Sequence, residues 1–252
     1  MKNNKFFFKI LFFLIFFFNF NYLLSDEFEF KASKIETTNN NNKIKGAGGV
    51  EVNDKKGLII SGQQFEYNKL NSILVVNDNV VIKDNLNNNL IKTEKITFNK
   101  ISNIINTNNK TIIELDSGYL IESSSLIYDR NLNVITSDNK TFVTDPYENK
   151  LTMRAFQYST INRMLSAQDV EIIDIEKNYY KIKNIKYDFM NNEIIGQDLS
   201  LEFNSGNIKT DQNQPRLKGN TIFYKKDTTQ VKQAVFTTCK KENDKCPPWE
   251  MH

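Results

Sequence analysis

The sequence predicts an all-β fold assembled from a repeat of about 30 residues, and three observations predict it. Aromatic residues recur at near-constant spacing, apolar and polar residues alternate with period two, and Asn/Asp clusters punctuate the runs at matching positions. Strand-like runs end at Phe65-Glu66-Tyr67, Ile96-Thr97-Phe98, Leu126-Ile127-Tyr128, Phe156-Gln157-Tyr158 and Ile185-Lys186-Tyr187. Their last rings are spaced 31, 30, 30 and 29 residues apart. Ile222-Phe223-Tyr224 lies 37 residues beyond the fifth, which places a longer loop before it.

Each aromatic is followed by a polar turn: Asn68-Lys69, Asn99-Lys100, Asp129-Arg130, Ser159-Thr160 and Asp188-Phe189. A short apolar strand comes next, as at Ile73–Val76, Ile104-Ile105, Val134-Ile135 and Glu193–Ile195. A second turn is expected at Asn77-Asp78-Asn79, Asn108-Asn109-Lys110, Asp138-Asn139-Lys140, Gln168-Asp169 and Gln197-Asp198, because Asn and Asp tolerate left-handed backbone and bond locally. A further strand then runs through Val80–Ile82, Thr111–Leu115, Thr141–Val143, Val170–Ile173 and Leu199–Phe203. Within the runs the period is two, as where Leu199, Leu201 and Phe203 alternate with Ser200 and Glu202. β-Branched and aromatic residues dominate, as half-buried strands prefer. No stretch after residue 26 has helical periodicity with caps.

One repeat of this size cannot bury its apolar face alone, so repeats must stack into a continuous core with open strand edges at the ends. The recurring residues Phe65, Tyr67, Ile96, Phe98, Tyr128, Phe156, Tyr158, Ile185 and Tyr187 then line one inner face. Two readings of that ladder follow: ordinary core, or an elongated apolar groove between two facing sheets wide enough for acyl chains. Periodicity does not separate them. Open edges invite a partner to add strands, so β-augmentation is expected at the ends.

Composition narrows the function classes. A chain of 252 residues with 9 glycines and 4 prolines suits a single body and excludes collagen-like or linker architectures. Lys2, Lys5 and Lys9 account for three of the 33 basic residues, which leaves the remainder balanced against 30 acidic ones. A balanced, interspersed surface lacks the electrostatic footprint of a nucleic-acid binder. Residues 1–25 read as a signal peptide: a basic start, the apolar run Ile10–Phe18, and Leu23-Leu24-Ser25 as a cleavage site. The competing reading is an uncleaved anchor, but Lys9, Asn19 and Asn21 break the run short of the roughly 20 apolar residues a spanning helix needs. Export to the periplasm is the expectation.

Chemistry is not expected. The only histidine is His252, which rules out a His-based triad within the body and His-rich metal sites. Gly46-Ala47-Gly48-Gly49 lacks the Lys-Ser/Thr of a phosphate loop. No enzyme activity, cofactor or metal is therefore anticipated. Cys239 and Cys246, the only cysteines, are too few for a zinc site; in an exported chain a disulfide is the default, either between them or with other cysteines.

The segment Ala234-Val235-Phe236-Thr237-Thr238-Cys239 followed by Cys246-Pro247-Pro248-Trp249 resembles the link between periplasmic domain and barrel in LptD-family lipopolysaccharide-assembly outer-membrane proteins. The repeat from Lys31 to Tyr224, with Gly49-Val50-Glu51-Val52 and the patterns at Ser61–Tyr67 and Ser123–Tyr128, resembles that family's OstA-like domain. The resemblance implies a β-jellyroll of two facing sheets over residues 26–232, preceded by the signal peptide and followed by a linker, 233–252, leading to a barrel these residues do not include. It implies transport and assembly of lipopolysaccharide at the outer membrane, with acyl chains held in an apolar interior by the ladder residues and passed onward. The implied partners are lipopolysaccharide, a periplasmic bridge protein joined by β-strand augmentation, and the outer-membrane barrel with its plug lipoprotein. By the same resemblance Cys239 occupies the position of a family cysteine that is disulfide-bonded, with Cys246 matching a second one found in some members. A stand-alone bridge or scaffold acting through its strand edges is the alternative role.

Overall fold

A computed structural model describes residues 28–86, 88–204, 214–225 and 228–239, and the backbone of 249–251. The signal-peptide segment and Cys246 lie outside the described residues. Among the described residues there is no helix; all regular structure is β, and every pairing is antiparallel.

The chain meanders. Five long strands open it: β1 (Glu29–Thr38), β2 (Lys43–Asn53), β3 (Leu58–Asn68), β4 (Ile73–Asp84) and β5 (Asn89–Asn99). The middle is made of half-length pieces: β6 (Ile104–Thr107), β7 (Thr111–Glu114), β8 (Leu120–Ser123), β9 (Leu126–Asp129), β10 (Val134–Ser137), β11 (Thr141–Thr144), β12 (Lys150–Met153) and β13 (Ala155–Ser159). Long strands then resume with β14 (Met164–Ile173), β15 (Tyr179–Asp188), β16 (Glu193–Glu202), β17 (Arg216–Lys225) and β18 (Thr228–Thr237), ending in the short β19 (Trp249–Met251). All join in one continuous sheet, in whose middle β6 pairs with β9 and β7 with β8, then β10 with β13 and β11 with β12. β18 pairs with β17 over its whole length, so the sheet continues past residue 232.

The turns after the recurring aromatics are hairpin turns, as expected. Asn68, Asn99, Asp129 and Asp188 each accept, through a side-chain oxygen, the amide two residues on, at 2.8–3.0 Å. The last residue of each loop is left-handed: Ser72 (φ 55°), Asn103 (57°), Asn133 (55°), Arg163 (51°) and Asn192 (51°). Asparagine at three of these five positions is the residue that tolerates that conformation at least cost.

The second set of turns is corrected by the structure: these segments bend a strand without reversing it. β4 stays on β5 across the kink, Asn77 opposite Lys95 and Val80 opposite Thr93, with Asp78 (φ 66°) and Asn79 (φ 53°) bulging between. At 108–110 the chain leaves β6 and enters β7 while running the same way along β5, Thr107 opposite Ile96 and Thr111 opposite Thr93. Asp169 (φ 48°) and Asp198 (φ 56°) are also left-handed within β14 and β16, where the ladders continue on both sides with no register shift. The reason is the partner on each side. A left-handed Asn or Asp alone permits either a turn or a bulge, and a strand held by ladders on both flanks takes the bulge. Each repeat is thus one hairpin of two long bent strands.

The kinks line up, so the sheet is creased along its length. Where the central strands break, hydroxyls satisfy the interrupted ladder. Thr111 Oγ1 lies 3.0 Å from Thr93 Oγ1 and 2.8 Å from Thr107 Oγ1, and Thr107 Oγ1 accepts the Leu126 amide at 2.9 Å. One repeat later Ser123 Oγ lies 2.9 Å from Ser137 Oγ and 3.1 Å from Thr141 Oγ1. These buried polar residues therefore carry the bend without orphaned groups.

The crease divides the sheet into two leaves. The first leaf carries the turns that follow the recurring aromatics, and the second carries the turns at 54–57, 85–86, 115–119, 145–149 and 174–178. Apolar side chains of both leaves point inward and are buried in one cluster, Phe65, Leu74, Ile96 and Phe98 from the first, Leu58, Ile60, Ile82 and Ile113 from the second. The fold is a β-jellyroll-like stack of strands with two facing halves, as the sequence predicts.

Candidate functional site: the apolar interior and its seam

The residues expected to line the ladder do converge on the interior. Phe65, Tyr67, Ile96, Phe98, Tyr128, Phe156, Tyr158 and Ile185 are all buried, while Tyr187 is half-buried. Their placement follows from pleating, because residues i and i+2 of a strand share a face. They are packed as core. Ile96 has no exposed surface and Phe98 1%, so the centre of the stack is filled by the protein's own side chains.

The rings gather in clusters, and four aromatics outside the recurring positions join them. Phe28 packs on Phe98 at 5.5 Å and edge-on to Tyr67 at 5.2 Å, and Phe30 stacks on Phe65 at 4.6 Å. Further along, Tyr119 and Phe189 meet at 4.7 Å, and Phe189 lies 4.3 Å from Tyr187 and 5.9 Å from Tyr158. Phe189 reads as a turn residue in the sequence, yet the hairpin folds its ring back onto this cluster. Phe28 and Phe30 precede the first repeat, so periodicity carried no signal for them; the alternation Phe28-Glu29-Phe30 did.

Opposite the crease, the two rims meet along a seam across which no backbone pairing runs among the described residues. Side chains bridge it instead. Arg130, in a first-leaf turn, donates to Asp54 of a second-leaf turn at 2.5 Å. The Tyr128 hydroxyl donates to the Asp84 carboxylate, and Arg163 pairs with Asp116. The hydroxyls of Tyr119 and Tyr187 lie 2.7 Å apart. Lys100 places its ammonium 4.4 Å from the Phe28 ring centre. None of these partners is near its mate in sequence: Arg130 and Asp54 are 76 residues apart, Tyr119 and Tyr187 are 68. The leaves are therefore out of step, a first-leaf strand facing the second leaf of an earlier hairpin.

Burial raises the phenols of this interior. Desolvation pushes Tyr158 up to about 12, and raises Tyr119 and Tyr128 further, Tyr128 also because its hydroxyl donates to the Asp84 carboxylate. A group with a raised folded-state value contributes stability that is complete below its ordinary value, here 10.0, and is lost as pH climbs through the folded one. The midpoint of urea unfolding is expected to fall steeply above about pH 10. Phenolate absorbance of the buried tyrosines should rise in step with unfolding, and ionisation well ahead of it would reject this packing.

Shallow depressions lie along the crease. One, of about 670 Å³, is bordered by Gln157, Gln168, Asn184, Gln197 and Lys186 with Ala155 and Ile195. Cys239 follows β18, its amide donating to Thr237 Oγ1 at 3.3 Å. The expected Cys239–Cys246 pairing involves a residue outside the described ones.

Neither a protein-family profile nor a curated protein sequence matches this chain.

Proposed function

We propose that this protein is a non-catalytic, exported carrier module of lipopolysaccharide transport and assembly at the outer membrane. Acyl chains travel between the two leaves, received from a periplasmic bridge protein and passed to an outer-membrane barrel with its plug lipoprotein. The observation that carries this reading is the interior itself: one apolar cluster runs through successive hairpins, enclosed by leaves that are continuous at the crease and, among the described residues, bridged at the seam through side chains. Parting the seam exposes an apolar trough without breaking a single ladder hydrogen bond. The resemblance of Phe236-Thr237-Thr238-Cys239 and Cys246-Pro247-Pro248-Trp249 to the LptD-family link supports the same cargo.

The test is a photoactivatable phenylalanine analogue placed at Phe98 or Tyr128, irradiated with purified lipopolysaccharide. Adducts are expected at both, and not at Phe142 on the outer face, which is 48% exposed. Labelling at Phe142 alone, or nowhere, rejects the reading.

A second reading, a bridge or scaffold working through strand edges, rests on β1. Among the described residues it pairs only with β2, so its other edge is open over ten residues. Scattering should then show end-to-end assemblies that lengthen with concentration. Ser33→Pro, placed where the pairing with β2 already skips a residue, should shorten them. A strict monomer indifferent to that change rejects the scaffold role.

A further inference from the structure

The large apolar side chains of the described surface fall into two groups. Six are between 45% and 49% exposed, and these belong to strands. Eight are between 61% and 76% exposed, and all eight sit at turn tips on the two rims. The first-leaf rim presents Leu70, Ile101, Leu132, Ile161 and Met190, one per successive turn. The second-leaf rim presents Leu86, Tyr147 and Ile175. Because Arg130 reaches Asp54 and Arg163 reaches Asp116, the two rims are neighbours, and both rows flank the seam.

We infer that this seam-side rim is a membrane-contact surface that inserts its tips into the interfacial zone of a phospholipid bilayer. Turn tips are where polar residues are ordinarily favoured, and polar residues such as Lys69, Asn71, Ser102, Asn131 and Asn162 do flank the tips of the first-leaf rim. A large exposed aliphatic in each of five consecutive turns, three residues after the aromatic in four of them and four after it at Leu132, is therefore a property of the surface and not of the core.

Spacing decides in favour of lipid over a protein partner. Adjacent tips of one rim are separated by two strand widths, about 10 Å. A protein would need a separate socket for each prong, with polar residues trapped between them, and close packing of that kind is what specific interfaces require. A fluid bilayer closes around isolated prongs with no shape to match. Charge agrees. Arg130 and Arg163 are paired with Asp54 and Asp116, so neither of these guanidiniums seeks anionic headgroups, and an apolar tip inserts without one. The contact is expected with neutral phosphatidylcholine and should be insensitive to salt.

The experiment uses the full chain with phosphatidylcholine vesicles and a photoactivatable analogue at one position at a time. Lipid adducts at Ile101, Ile161 and Met190 should exceed those at Phe142 and Ile127, on the outer face, by about tenfold. Raising the salt should leave the ratio unchanged. Equal labelling of rim and outer face, no lipid adducts on the rim, or adducts to a second copy of the chain in place of lipid would each overturn the inference. Lipopolysaccharide labelling from the interior is scored separately, so the two readings fail independently.

Discussion

Replacing Arg130 with methionine is expected to lower the free energy of unfolding by about 3–5 kcal/mol. The guanidinium donates to Asp54 at 2.5 Å and to Asn103 at 3.1 Å, and lies 5.9 Å from the Phe98 ring centre. Its side chain is 8% exposed and that of Asp54 3%. The other Asp54 oxygen accepts the amides of Lys56 at 2.7 Å and Leu58 at 2.8 Å, which shapes the turn between β2 and β3. Removing the cation leaves a carboxylate that is dry, still needed by two amides, and unpaired. The double variant Arg130→Met with Asp54→Asn should recover part of the loss, because an amide oxygen still accepts both N–H groups without a buried charge. Arg130→Lys should not restore it, since a point ammonium cannot span Asp54 and Asn103 together. Urea midpoints measure all three. A cost near that of an exposed pair, below about 1 kcal/mol, would show that the seam is not closed there.

Phe98→Ala is the second large effect, expected to cost about 3–5 kcal/mol. Phe98 is 1% exposed at the point where the leaves meet, with Phe28 above it and Arg130 beside it. In the ladder Phe98 stands between Leu74 of β4 and Ile105 of β6, both buried, so collapse around the void is limited. Because Phe98 also supplies the face on which Arg130 rests, the combined variant should fall short of the sum of the two singles. Additive losses would mean that ring and cation act independently, against the packing seen here.

These two residues show different degrees of legibility. Phe98 was readable in the sequence: it ends an alternating run one period after Tyr67, and a pleated strand puts such a residue on the inner face whatever its neighbours. Arg130 was readable only as one polar residue of a turn. Its burial comes from Asp54, 76 positions earlier, brought opposite by the stagger of the leaves. The Asn77-Asp78-Asn79 and Gln197-Asp198 segments sit between these cases. Their capacity for left-handed backbone was visible, but whether that capacity reverses a strand or bends it depends on the ladders on either side.

Strand type, inward face, hairpin turns and a repeat near 30 residues are local features, legible from residue order because period-two burial and backbone preferences act over a few positions. The tertiary structure alone decided the rest. It turned the second set of Asn/Asp sites into a crease, set the leaves out of step, closed the seam with Arg130–Asp54 and Tyr128–Asp84, and brought the exposed turn tips of both rims to one side. Those outcomes depend on which distant strands come to face each other, and period-two patterning is identical for every such arrangement.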